Sequence, residues 1–408
     1  MDLLYGFFKF QPGDTHLYPN HYYSAQSNND MTLEANPIPL FKIDWDQSDI
    51  SNAIESITRG SYWAKGPFVS EFESNLENVL NVKHALVVNS GTTALVAALK
   101  ALEIGRGDEV IVPSFTFIAT ANAVRLVGAE PVFADIEADT YGLDPDHVRS
   151  QITDKTAAIL PVHCYGTSCR IDKLCEIADK HNLYLLEDAA EALGAEYRGQ
   201  KLGTFGDIGV LSFCQNKIVA TGEGGAVITD DDDIAQRIRL YRSHGRVSEN
   251  YFESASSGQY ADVGTNIRMG DLPAAIGCSQ LDRLPDLITG RQRVASQYTE
   301  KFENLEGVHP HTPMREATHV HQLYTIELGN TVNRSNVIET LADRNISSKV
   351  YWDPAVHGTS YYKESKETIP NLPVTEETSQ QVLSLPMHPN LSSCEITRVV
   401  NAVKDAIQ

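Results

Sequence analysis

One lysine stands between an apolar strand pattern and a glycine-rich turn. It is Lys217, in Leu211-Ser212-Phe213-Cys214-Gln215-Asn216-Lys217-Ile218-Val219-Ala220-Thr221-Gly222-Glu223-Gly224-Gly225. A lysine amine is a nucleophile toward a carbonyl carbon. Asp188 ends another apolar run, Leu183-Tyr184-Leu185-Leu186-Glu187-Asp188. A carboxylate in such a place can keep a ring nitrogen protonated. Asn89-Ser90-Gly91-Thr92-Thr93 joins a strand pattern to a helix pattern. A helix start offers backbone N–H groups to a phosphate. Gly91 permits close backbone approach, and Thr92 is expected to open the helix. Ser212 offers a further hydroxyl. Together these are the parts of a pyridoxal 5'-phosphate (PLP) site, with Lys217 forming a Schiff base and Asp188 beside the pyridine nitrogen. Phe117, just past the run Glu109-Val110-Ile111-Val112, is the aromatic expected to cover the ring.

Each residue also has a plainer reading. A lysine after a strand is commonly a solvated surface group, and a strand-end Asp commonly caps a helix. Phe117 fits a core position, Ser212 an ordinary strand position. Glu191 fits an acidic helix start favoured by the helix dipole. Gly222, Gly224 and Gly225 read as turn formers. It is the joint pattern that points to a cofactor.

Alternating strand and helix patterns must position these residues. Strands are predicted at 85–89, 109–112, 131–134, 157–162, 183–187, 208–213 and 225–229, with helices at 92–103, 118–127 and 171–181. Such alternation implies an α/β domain with a mostly parallel seven-stranded sheet. Ligands of such sheets sit at the carboxyl ends of strands, where Asp188 and the 89–92 turn fall. Asp230-Asp231-Asp232-Asp233 reads as an acidic helix start rather than a metal site. Residues 245–262 lack periodicity and read as a functional loop. Helices at 271–287, 291–304, 335–344 and 394–406 and a strand at 323–328 predict a smaller C-terminal α+β domain. The expected division is a variable extension over 1–36, a large domain over 37–270 and a small one over 271–408. A chain begun at Met31 is expected to fold and keep activity.

Composition sets limits. The 408 residues carry a net charge of −21, which argues against general nucleic-acid binding. No apolar run is long enough for a membrane span. The six cysteines fit no zinc pattern and read as reduced, so a cytoplasmic protein without a metal is expected. No Gly-x-Gly-x-x-Gly follows the first strand, which disfavours a nicotinamide oxidoreductase.

Several segments together resemble the DegT/StrS group of nucleotide-sugar aminotransferases. They are Ser-Gly-Thr-Thr-Ala-Leu (90–95), Gly-Asp-Glu-Val-Ile-Val-Pro (107–113), Thr-Phe-Ile-Ala-Thr-Ala-Asn-Ala (116–123), Glu-Asp-Ala-Ala-Glu-Ala-Leu-Gly-Ala (187–195), Ser-Phe-x-x-x-Lys with Thr-Gly-Glu-Gly-Gly (212–225), Asn-Ile-Arg-Met (266–269) and Ala-Ala-Ile-Gly (274–277). The resemblance runs from about Pro39 to the C-terminus, in family order.

The resemblance implies a fold-type I PLP-dependent aminotransferase. It makes Lys217 the Schiff-base residue and Asp188 the partner of the pyridine nitrogen. It gives Gly91, Thr92 and Ser212 to the phosphate and Phe117 to the ring. The family usually has Gln or His at Glu191, contacting the ring hydroxyl. Glutamate there is similar to the subset that makes 4-amino-4,6-dideoxy sugars such as perosamine. Asn266 or Arg268 would reach the PLP phosphate of a partner subunit, so a homodimer with shared sites is implied. The alternative for Arg268 is an intrachain salt bridge to Asp271. The implied substrates are an amino acid, glutamate in most of the family, and a nucleotide-linked keto-sugar. A PLP-dependent dehydratase of the same group and a non-catalytic regulatory protein are the alternatives. The dehydratase branch replaces the lysine with histidine. Tyr324, His321 and the 245–262 loop are candidates for reading the sugar.

Overall fold

A computed structural model describes residues 36–247, 258–365 and 369–407. All of the proposed extension but Asn36, with the Met31 start, lies outside the described residues, as does most of the 245–262 loop.

The large sheet contains β1 (His84–Val88), β2 (Glu109–Pro113), β3 (Glu130–Ala134), β4 (Thr156–Ile159), β5 (Tyr184–Asp188), β6 (Ile208–Ser212) and β7 (Gly225–Thr229). Their order is β1-β7-β6-β5-β4-β2-β3. β2–β3, β2–β4, β4–β5 and β5–β6 pair in parallel. β7 runs antiparallel to both β1 and β6. Every residue of β7 is buried, which is why its sequence is a continuous apolar run rather than an alternating one.

Helices α1 (Gln47–Thr58), α2 (Pro67–Leu80), α3 (Gly91–Ala101), α4 (Ala119–Leu126), α5 (Ile171–His181) and α6 (Asp232–Tyr241) accompany the sheet. The acidic run behaves as expected, with Asp231 accepting from the Ile234 N–H at 2.8 Å as the cap of α6. The pattern around 271–304 is divided differently from the prediction, into α7 (Asp271–Asp282) and α8 (Leu284–Phe302). Pro285 lies in the first turn of α8, where its missing N–H does no harm. It could not have continued α7. α7 packs on α1 and α2, and it buries Ala274, Cys278 and Leu281 in the core that also holds Phe72 and Phe213.

A second sheet is antiparallel, ordered β8 (Val308–Pro310), β9 (Tyr324–Leu328) and β10 (Val382–Leu385). Its core includes Tyr298 and Phe302 of α8, Leu341 of α9 (Arg334–Asp343) and Val399 of α10 (Ser393–Ile407). Tyr324 belongs to this core. Its ring stacks on Tyr298 at 4.7 Å and its hydroxyl meets Thr299 Oγ1 at 3.0 Å, so it packs the small sheet rather than presenting itself to a sugar.

Candidate active site

The strand register assembles one corner of the site. Gly225 pairs with Val88 on one side and with Ser212 on the other. The chain after β1 therefore turns into α3 directly over the ends of β7 and β6. A Cβ on Gly91 would lie 2.9 Å from Ser212 Cβ, and one on Gly225 would lie 2.5 Å from the Ser90 carbonyl carbon. Real side chains do not fit at those distances. Gly225 thus serves close approach rather than a turn, whereas Gly222, at φ +88°, is a turn former as expected. The helix begins one residue earlier than predicted, because Ser90 is the cap: its Oγ accepts from the Thr93 N–H at 3.1 Å. The first-turn N–H groups of Gly91 and Thr92 have no acceptor within the helix, and the Ser212 hydroxyl lies close against Gly91. This cup of small residues has the donor chemistry of a phosphate site.

Asp188 lies at the end of β5, buried. Its Oδ2 accepts from Thr120 Oγ1 at 2.9 Å and its Oδ1 from the Ala190 N–H at 3.2 Å. Burial pushes its carboxyl above the ordinary carboxylate range. The two hydrogen bonds and the Lys217 charge oppose the rise, and the Glu191 charge adds to it. A buried carboxylate raised in this way has room for a cationic N–H, which a protonated pyridine supplies.

Lys217 follows β6. Its Nζ lies 3.2 Å from Glu191 Oε1, with the two side chains 13% and 11% exposed. It is neither a solvated surface lysine nor a free one. Glu191 Oε2 accepts from the Tyr165 N–H at 2.9 Å, so it is not simply a charge at a helix start. Tyr165 has a left-handed backbone, φ +58°. Phe117, just before α4, is 59% exposed, which removes the core reading and leaves a ring face available.

Asn266 and Arg268 lie on the other flank of β1. The Asn89 N–H donates to Ile267 O at 2.8 Å, and Arg268 bridges to Val88. Asn266 is exposed. Arg268 Nη1 donates to Ser243 Oγ at 3.0 Å. Its guanidinium pKa is depressed by burial and by the neighbouring Arg246 and Arg242. Asp271 is not its partner, because Asp271 pairs with Arg59 at 2.6 Å and also takes Ser56 Oγ at 2.6 Å and the Phe68 N–H at 3.0 Å. Arg268 therefore lies among cations, where an anion would be welcome.

Sequence reasoning missed Thr120, Tyr165 and Gln322. Gln322 is buried and donates to the carbonyl of Asn216, next to Lys217, at 2.6 Å. No local pattern marks these three, since each matters only through a contact distant in sequence. His321, a candidate from the sequence, stacks on His319 at 3.9 Å. All six cysteines are free. Among the described residues no cluster suits a metal ion, and no helix is long and apolar enough to cross a membrane.

The residues present therefore fit PLP: an amine, a buried carboxylate, a phosphate-sized cup and an exposed ring. The chain belongs to the DegT/DnrJ/EryC1/StrS aminotransferase family, which it matches over residues 44–404. GDP-perosamine synthase of Caulobacter vibrioides is 40% identical over 346 residues, 84% of this chain and 91% of that protein. DesV of S. venezuelae, solved with a ketimine intermediate, superposes with a TM-score of 0.83 at 33% identity, covering 92% of this chain and all (100%) of that one. A Streptococcus pneumoniae protein solved in its PLP form gives a TM-score of 0.85 at 27% identity, covering 91% of this chain and 98% of that one.

Proposed function

We propose that this chain moves an amino group from an amino acid, glutamate, to a nucleotide-linked keto-sugar, using PLP. The observation that carries the reading is the Lys217–Glu191 pair, 3.2 Å apart and largely buried, together with a buried carboxylate, Asp188, that among the described residues has no cation within ion-pair distance. Bound PLP supplies an electron sink for the carbon that loses its proton. The protein does the rest. The N–H groups of Gly91 and Thr92 and the hydroxyl of Ser212 hold the phosphate. Asp188 keeps the ring nitrogen protonated, and Thr120 orients Asp188. Phe117 covers the ring. Lys217 holds the cofactor covalently between turnovers. Once released, its Nζ would carry the proton between the donor α-carbon and the cofactor's aldehyde carbon, and in the second half-reaction between that carbon and the sugar carbon.

Glu191 and the similarity to a GDP-perosamine synthase support a 4-keto-6-deoxy sugar as the acceptor. Lys217, where the dehydratase branch has histidine, argues against dehydration. The test is a panel of nucleotide keto-sugars supplied with glutamate and followed by mass spectrometry. An amino-sugar product with matching 2-oxoglutarate is expected. Protein that carries PLP on Lys217 yet aminates none of the panel would overturn the substrate assignment.

A further inference from the structure

The segment from His319 to Leu323, leading into β9, is tied down on both sides. From α8, Arg291 Nη1 donates to the carbonyls of His321 at 3.0 Å and Gln322 at 3.3 Å, and Gln292 donates to that of His319 at 3.1 Å. From the other side, the Val320 N–H reaches Gly166 O at 2.9 Å and the Leu323 N–H reaches Tyr165 O at 3.3 Å. His321 takes a left-handed backbone, φ +50°, which only firm anchoring makes tolerable for a side chain of its size. Between these anchors stands Gln322, whose Nε2 donates to Asn216 O at 2.6 Å.

Arg291 is unusual in its own right. It is 3% exposed, and among the described residues no carboxylate lies within ion-pair distance of it. Burial alone depresses its guanidinium, to about 10. A buried cation without a counter-ion is tolerated only where it satisfies other groups. Here those groups are carbonyls of a single strap.

The contacts close a ring. Lys217 bonds Glu191, Glu191 bonds the Tyr165 N–H, and the 165–166 turn bonds the strap at Val320 and Leu323. Gln322 on the strap then bonds Asn216, the residue before Lys217. We propose that Gln322, on a strap fastened by Arg291, is a positioning residue for Lys217: it fixes the lysine's backbone so that the amine returns to one place each time the cofactor releases it. This rests on Lys217 being the residue that bonds PLP. The ring carries the inference because, among the described residues, Gln322 makes no hydrogen bond to Gly91, Thr92, Ser212 or Asp188. Losing its bond should disturb the lysine and leave cofactor docking unchanged.

Two probes separate these effects. Pyridoxamine phosphate docks without an aldehyde, so its affinity reports the cup and Asp188. PLP added to cofactor-free enzyme also condenses with the Lys217 amine: the C–N bond forms, one water leaves, and a visible band grows. In Gln322→Met, close in size but without the donor, pyridoxamine phosphate should bind within about twofold of wild type, while the band should grow about tenfold more slowly. Turnover should fall by a similar factor, with sugar KM little changed. Gln322→Leu, which also lacks the donor, should behave alike and serves if the methionine variant folds poorly. Arg291→Lys should give a smaller effect of the same kind. Unchanged condensation in a folded variant would overturn the proposal, as would an equal loss of pyridoxamine phosphate affinity. If wild-type protein gains no mass at Lys217 after PLP and borohydride, the functional reading itself fails and takes this proposal with it.

Discussion

Burial raises the proton affinity of Asp188 in the cofactor-free folded protein above that in the unfolded chain. The sign follows by linkage: cofactor-free stability falls as pH rises from the ordinary carboxylate range to the raised folded value, then levels off. Asp188→Asn removes that loss. Melting at pH 8 should find the cofactor-free variant more stable than cofactor-free wild type, a gap that shrinks toward pH 4. Loaded with PLP, the same variant should lose several orders of magnitude in rate, because an amide cannot hold the pyridine nitrogen protonated. A fall of less than tenfold would assign that part to another group. Lys217→Ala should still fold, show no visible band and turn over no keto-sugar; wild-type turnover would sink the assignment of the amine. Asp188 and Ser212 are legible as candidates in the sequence because each ends a strand, and Lys217 because it stands between a strand and a glycine-rich turn. Thr120 and Gln322 are not, because their partners, Asp188 and Asn216, are distant in sequence.

The elements that carry the site are those with uninterrupted apolar runs, and all seven strands of the large sheet fall where the runs predict. α1 does not declare itself. It buries Asp49 and Ser56 while leaving Ile54 53% and Ile57 51% exposed, the reverse of the usual pattern. Its buried face is polar because it meets the Asp271 cluster and the Ala275 carbonyl, which takes Asn52 Nδ2 at 3.1 Å. The glycine at the start of α3 gives an element-scale test. In Gly91→Ala, the new methyl meets Ser212 Cβ at 2.9 Å, and the helix start must lift from the strand ends. PLP affinity should fall at least about tenfold, with a stability loss of about 1–3 kcal/mol from overpacking. Equilibrium dialysis and a melt measure the two. Unaltered affinity would mean that the phosphate lies elsewhere.

For the whole molecule, the exposed Ile54 and Ile57 join Trp45 (63%) and Trp63 (60%) as large apolar groups left to solvent by a single chain. Such exposure often marks an interface. A homodimer in which Asn266 or Arg268 serves the neighbour's phosphate remains our proposal, supported by the cations around Arg268. Lys217→Ala protein and Asn266→Ala/Arg268→Ala protein, each nearly inactive, should recover activity when mixed under conditions of subunit exchange. The hybrid would hold one site with both Lys217 and an intact partner segment. A monomer by light scattering, or no recovery after proven exchange, would defeat it. Family resemblance implies this arrangement, whereas the apolar side chains of α1 give no signal in the sequence, because the helix carries no apolar period on its buried side.

The pairing of Val88 with Gly225 has a kinetic corollary. The two residues are far apart along the chain, and the segments between them supply the rest of the sheet. Contacts of such long range form late, since loop closure must precede them. The phosphate cup is then among the last features to appear during refolding. PLP cannot speed a rate-limiting step that precedes the cup. It can only slow the reverse reaction by holding the finished sheet closed. Stopped-flow refolding should therefore be insensitive to PLP concentration, while unfolding in denaturant lengthens with it, making the coenzyme a lock on the completed chain rather than a template for it.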